Sequence, residues 1–212
     1  TDGTITSVVS ANQAAGFSIV SFSNNNSFTN TFGHGLGAQP ELVIIKSTSI
    51  AADWFVYVDS LGKSKRLQLN LYNAASSWSS NDGWNTTTGI TSSVLSFAYS
   101  GTTYPFIAYC FKSISGYSKV GSYTSNNTSL TINVGFTPGL VLIKNIDTSG
   151  GSWNLFDSKR ANGSSLWANT NKAEDDYSSL FQLNSTGFVV NGQNTNTNNL
   201  TDEFLYLAIK EN

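Results

Sequence analysis

The chain carries one histidine and one cysteine, so the residue types that most often move protons or act as nucleophiles are scarce. His34 lies in Gly33-His34-Gly35-Leu36-Gly37. Beside one of the many serines it would act as the general base of a Ser-His-Asp arrangement. No Gly-x-Ser-x-Gly elbow accompanies it, and the alternative is a loop histidine bonded to its neighbours. The surrounding glycines lack the spacing of a phosphate loop and read as turn positions. Glycoside hydrolysis needs a flanking pair of acids, yet carboxylates cluster only in Glu174-Asp175-Asp176 and Asp202-Glu203. Both stretches are polar and loop-like, and neither follows the spacing of a calcium loop. Two small basic clusters, Lys63-Ser64-Lys65-Arg66 and Ser158-Lys159-Arg160, suit either acidic polysaccharide or a solvated turn.

The aromatic residues carry the stronger lead. Trp78 and Trp84 sit in the polar stretch Ser77-Trp78-Ser79-Ser80-Asn81-Asp82-Gly83-Trp84-Asn85. Sugar rings stack on indole faces, and Asn81 and Asp82 are placed to hydrogen-bond hydroxyls. Burial against the neighbouring unit or another chain explains the same pattern, and both readings stand at this point. Trp78, Trp84, Asn81 and Asp82 are therefore the candidate binding residues. No catalytic set, metal site or cofactor is expected.

Composition removes several function classes. Eleven Lys+Arg against thirteen Asp+Glu give a net charge of -2, with no basic excess to hold a nucleic-acid backbone. Apolar runs fall well short of the ~18 residues that a membrane-spanning helix needs. Cys110, as the sole cysteine, excludes an intramolecular disulfide and a cysteine-based zinc site. Asn, Ser and Thr supply 78 of the 212 residues, but aromatics at 13% argue against disorder, because a disordered chain carries few such apolar groups.

The elements that must position these residues are strands, and they come twice. Gly16-Phe17-Ser18-Ile19-Val20 matches Gly116-Tyr117-Ser118-Lys119-Val120, and Pro40 through Lys46 matches Pro138 through Lys144. Trp54 and Trp153 follow, both read as core, and Phe106 through Lys112 matches Phe204 through Lys210. Each unit reads as about seven short strands separated by turns, the pattern of a β-sandwich of jelly-roll or lectin-like type. The expected division is a linker or N-terminal arm over residues 1–15, a first repeat over 16–115 and a second over 116–212. The units should pack closely, since only Ser113-Ile114-Ser115 links them. Residues 73–77 and 172–183 are the segments expected to make short helical turns.

These blocks resemble a duplicated domain of unknown activity found in tail-fibre and other virion proteins of marine tailed phages, of cyanophage and pelagiphage type. The resemblance rests on Gly33-His34-Gly35-Leu36-Gly37, Trp54-Phe55-Val56-Tyr57, Ile107-Ala108-Tyr109-Cys110-Phe111, Asp157-Ser158-Lys159-Arg160 and the blocks above. It covers essentially the whole chain. One departure is Ile209-Lys210-Glu211-Asn212, where the family more often has Phe-Ala-Glu-Asn. The resemblance implies a non-enzymatic virion structural protein. The expected role is a tail-fibre region that attaches to a host-surface glycan or protein, with trimeric assembly by analogy. A capsid or tail decoration protein without a receptor is the alternative.

Overall fold

A computed structural model describes residues 2–211 except 25, 26, 80, 81, 88 and 161. Among the described residues there is no α-helix, only one 3-10 turn at Asp59–Leu61. The chain divides into two compact units, one formed by Thr1–Gln68 with Ala75–Lys112 and the other by Leu69–Ala74 with Ser113–Asn212.

Unit 1 contains β1 (Ser7–Asn12), β2 (Phe17–Asn24), β3 (Phe32–Gly33), β4 (Leu42–Ser47), β5 (Phe55–Val58), β6 (Lys65–Gln68), β7 (Ser76–Ser77), β8 (Gly83–Trp84), β9 (Val94–Leu95), β10 (Phe97–Ala98) and β11 (Tyr104–Phe111). Unit 2 contains β12 (Ser118–Thr124), β13 (Leu130–Asn133), β14 (Pro138–Asn145), β15 (Asn154–Asp157), β16 (Ser164–Trp167), β17 (Asp175–Asp176), β18 (Phe181–Asn184), β19 (Gly187–Val190) and β20 (Glu203–Lys210). The large sheet of unit 1 runs β1-β2-β11-β4-β5-β6-β7, and that of unit 2 runs β12-β20-β14-β15-β16-β17. With β1 set aside, the two orders correspond strand for strand. No named sheet draws strands from both units.

Each large sheet is covered on one face by a smaller layer, β3-β9 and β8-β10 in unit 1 and β13-β19-β18 in unit 2. The strand period of two sets which side chains meet. In β2, Val20 and Phe22 point into the core, where Phe22 stacks on Phe32 of the small layer at 3.7 Å. Phe156 of β15 stacks in the same way on Phe181 of β18, also at 3.7 Å. Leu42 through Ile45 are buried throughout, as their uninterrupted apolar run leads one to expect of a strand covered on both faces. Trp153 is buried, whereas Trp54 is only half-buried, which corrects its reading as core.

Three further expectations change. Residues 7–12 do not form a linker: they are a full strand, paired with β2 from Ser7 opposite Phe22 to Asn12 opposite Phe17. Their low aromatic content conceals a strand that sits at a sheet edge and needs little apolar surface. Helical structure over residues 73–77 and 172–183 is also less than expected, a single turn in which the Leu180 and Phe181 N–H groups donate to the Tyr177 carbonyl at 2.7 and 2.8 Å. Asp175-Asp176 pairs with Ser164-Ser165 and Phe181 is fully buried in β18, so sheet pairing and burial outweigh local helix propensity. Last, the first repeat block is matched one residue out of step. Phe17 lies opposite Phe111, but it is Ser118, not Tyr117, that lies opposite Ile209. A one-residue slip exchanges the two faces of a strand, so Val20 corresponds in space to Gly121 rather than to Val120.

Candidate functional site

The stretch between β6 and β10 forms one wall of a groove of about 470 Å³ in unit 1. Lys65 and Arg66 of β6 lie opposite Ser77 and Ser76 of β7. Gly83 and Trp84 of β8 lie opposite Ala98 and Phe97 of β10. These short pairings bring Lys63, Ser64, Ser77, Trp78, Asp82 and Trp84 to the groove lining.

The two tryptophans play different parts. Trp84 is only 3% exposed and packs on Phe97 at 5.0 Å and Tyr57 at 5.7 Å. Its ring belongs to the core, which corrects the reading of Trp84 as displayed. Alternation along β8 sends it inward. Its indole N–H is buried without an acceptor. Trp78 is half-buried, and its N–H donates to the Lys65 carbonyl at 3.2 Å. The Arg66 guanidinium lies over its ring at 5.0 Å. The backbone of Gly83, at φ +107, comes so close that a Cβ there would meet Trp78 Cγ at 2.4 Å. Only glycine fits at that position.

Asp82 shapes the loop. One carboxylate oxygen accepts the Ser100 N–H at 2.5 Å and the other accepts the Ser79 hydroxyl at 2.7 Å. Asn85 is also committed, donating to the Phe28 carbonyl and accepting from the Thr87 N–H, both at 2.8 Å. Asn81 lies outside the described residues. The cations are less constrained: Lys63 Nζ reaches the Thr86 carbonyl only at 3.5 Å, and Lys65 Nζ reaches the Ser77 hydroxyl only at 3.4 Å. The groove thus offers an indole edge, serine hydroxyls and the loosely held ammonium group of Lys63. Asp82 is the one carboxylate among its described lining residues, and it faces no partner acid. Lys63 and Ser64 were legible as a basic cluster, but nothing in the sequence signalled that β6 and β7 would set them beside Trp78.

A second groove, of about 400 Å³, lies in unit 2 among Asp157, Arg160, Asn162, Ser185 and Glu211. Its charges are paired. Lys159 meets Glu211 at 2.9 Å, and Arg160 meets Asp157 closely and Glu174 at 3.8 Å. Hydrogen bonds from Lys159 and Ser158 hold the Glu211 carboxyl below its ordinary pKa. The basic cluster Ser158-Lys159-Arg160 is therefore largely spent on neighbouring acids.

The remaining candidates for chemistry are buried. His34 is buried: its Nδ1 accepts the Leu36 N–H at 3.3 Å and its Nε2 lies 3.2 Å from the Thr91 carbonyl. That places the proton on Nε2, and burial lowers the ring's pKa below the usual histidine value. Cys110 is buried, and its thiol is pushed up to about 12 by desolvation. Among the described residues no group of three or more His, Cys, Asp or Glu side chains converges on a possible metal position. Among the described residues no helix is long and apolar enough to cross a membrane.

A family model described as Domain of unknown function (DUF7483) matches residues 1–212. The chain belongs to the DUF7483 family. No curated protein and no solved structure matches it.

Proposed function

We propose that this DUF7483 chain is a binding module of a virion surface, the distal region of a tail fibre that attaches to a host-surface glycan through the groove of unit 1. The observation that carries the reading is Trp78, held half-exposed beside Lys63 and a row of serine hydroxyls, with Asp82 bound into its own loop. An indole edge with hydroxyls and one ammonium group suits a saccharide ring bearing polar or anionic substituents. Glycosidic cleavage would require a second acid across the groove. The virion setting is supported by the resemblance of the sequence blocks to tail-fibre domains. Low charge and abundant Asn, Ser and Thr suit an exposed surface. Single contacts of this kind are weak, and several copies on one particle, three in a tail fibre, make them effective. The reading involves no cofactor, nucleic acid or membrane insertion.

Binding of the purified chain to susceptible cells, and to their isolated envelope glycans, tests the proposal. Lys63→Glu should reduce glycan binding at least tenfold while leaving the thermal unfolding midpoint unchanged. A chain that binds purified capsids and ignores cells and glycans would instead be a decoration protein.

A further inference from the structure

The two large sheets end differently on their two sides. On one side each closes with a two-residue strand, β7 or β17. A short strand blunts an edge, because it offers little backbone for another strand to join. On the other side unit 1 ends on the six-residue β1 and unit 2 on the seven-residue β12.

In unit 1, β1 covers β2 along its length, with Ser7, Val8 and Val9 opposite Phe22, Ser21 and Val20. The matching positions of β12 are Tyr123, Ser122 and Gly121. Here the chain supplies only Ser113 and Ile114. Ile114 bridges Ser118, and the Ser113 hydroxyl accepts the Val120 N–H at 3.0 Å. These contacts show that Ser118 and Val120 turn their backbone groups outward. The alternation of an antiparallel strand then turns those of Ser122 and Thr124 outward too. Both residues are exposed, and no described segment of the chain pairs with them on that side. Unit 2 therefore carries an open edge at the place that unit 1 fills with a strand of sequence Ser-Val-Val-Ser.

Among the described residues no strand pairs with the outer edge of β1. It has no charge and no proline, the usual protections of an edge, and Val8 is 73% exposed. An unprotected edge of this type is a site for strand addition. We infer that β1 of one copy adds to the open β12 edge of a second copy, joining copies head to tail. The internal repeat shows that this sheet position accepts a further antiparallel strand, as β2 accepts the inner edge of β1; in the assembly the outer edge of β1 makes the contact. The contact is heterologous, so it leaves one free β1 and one free β12 at the ends of any open assembly and propagates to a ring or a filament.

Sedimentation of the full chain over a wide concentration range tests this. The wild type should grow beyond a dimer as concentration rises. Val8→Lys blocks the β1 edge with an exposed charge. Ser122→Pro removes an outward N–H that no intramolecular bond uses, and Ser122→Lys serves the same end without altering the backbone. Each variant alone should remain monomeric with native circular dichroism. Mixed in equal amounts, Val8→Lys and Ser122→Pro should form a dimer and nothing larger, because each retains the edge that the other lacks. A wild type that stays monomeric at several hundred micromolar overturns the inference. So does a Ser122 variant that still associates, which would mean that β1 pairs with β1.

Discussion

The two units share a sheet order and part company at their rims. Phe22 on Phe32 and Phe156 on Phe181 stack at the same 3.7 Å, with interplanar angles of 12° and 11°. The matched lysines Lys46 and Lys144 differ. Lys46 is half-buried and donates to the carbonyls of Ala52 and Ile50. Lys144 is fully buried and donates to Gly151 at 2.8 Å and Tyr72 at 3.4 Å. Tyr72 belongs to Leu69–Ala74, a segment of the first repeat's sequence that folds as part of unit 2. A repeated strand pattern therefore constrains the interior, where packing tolerates little change, and leaves edges and connections free to diverge.

The largest test of that contrast is in the two cores. Phe22→Ala and Phe156→Ala each remove a buried stacked ring and should each cost about 3–5 kcal/mol in denaturant unfolding. A cost below 1 kcal/mol in one unit would show that its stack is not equivalent to the other.

The lysines come next. Burial lowers the Lys144 pKa from 10.5 to about 8. At pH 7 the ammonium is charged both folded and unfolded, and folding bears the full cost of burying it. Between about 8 and 10.5 the unfolded chain holds the proton and the folded one does not, so the Lys144 contribution to stability rises with pH, by about 3 kcal/mol over the whole window. Above about pH 9 the Cys110 thiol and the buried Tyr206 work the other way. Lys144→Met should remove the Lys144 contribution, so that the variant gains less stability than the wild type between pH 7 and pH 10. Urea titrations at pH 7 and pH 10 measure both.

Smaller effects are expected at the surface aromatics. Arg66 spans Trp78 and Phe55 at 5.0 and 5.6 Å, so Arg66→Ala should cost about 1 kcal/mol. Lys172 over Trp167, at 4.1 Å, is a single exposed contact, and its removal should cost about 0.5 kcal/mol. The Cys110 thiol gives a local probe of unit 1. Buried and held protonated, it should resist a thiol reagent in the native protein and react only as the unit opens. Phe22→Ala should speed that labelling.

Much of the fold was legible before any coordinates. Strands near 41–47, 53–59, 104–112, 139–145 and 202–210 follow from apolar runs and alternation, which are properties of neighbouring residues. The β1 strand was not legible, because Ser-Val-Val-Ser-Ala-Asn buries little and gains its order from pairing with β2. Nor was the exchange of roles between Trp78 and Trp84, six residues apart in one polar stretch. A two-residue pairing with Phe97-Ala98 sends one inward and leaves the other at the groove.

By itself the sequence determined an all-β chain of two similar units with low charge, since these depend on composition and local periodicity. Tertiary structure decided which indole faces the groove, which lysine is buried, where Leu69–Ala74 docks and which sheet edge stays open. Each of those depends on a partner far away in the chain, and only the pairing of distant strands supplies it.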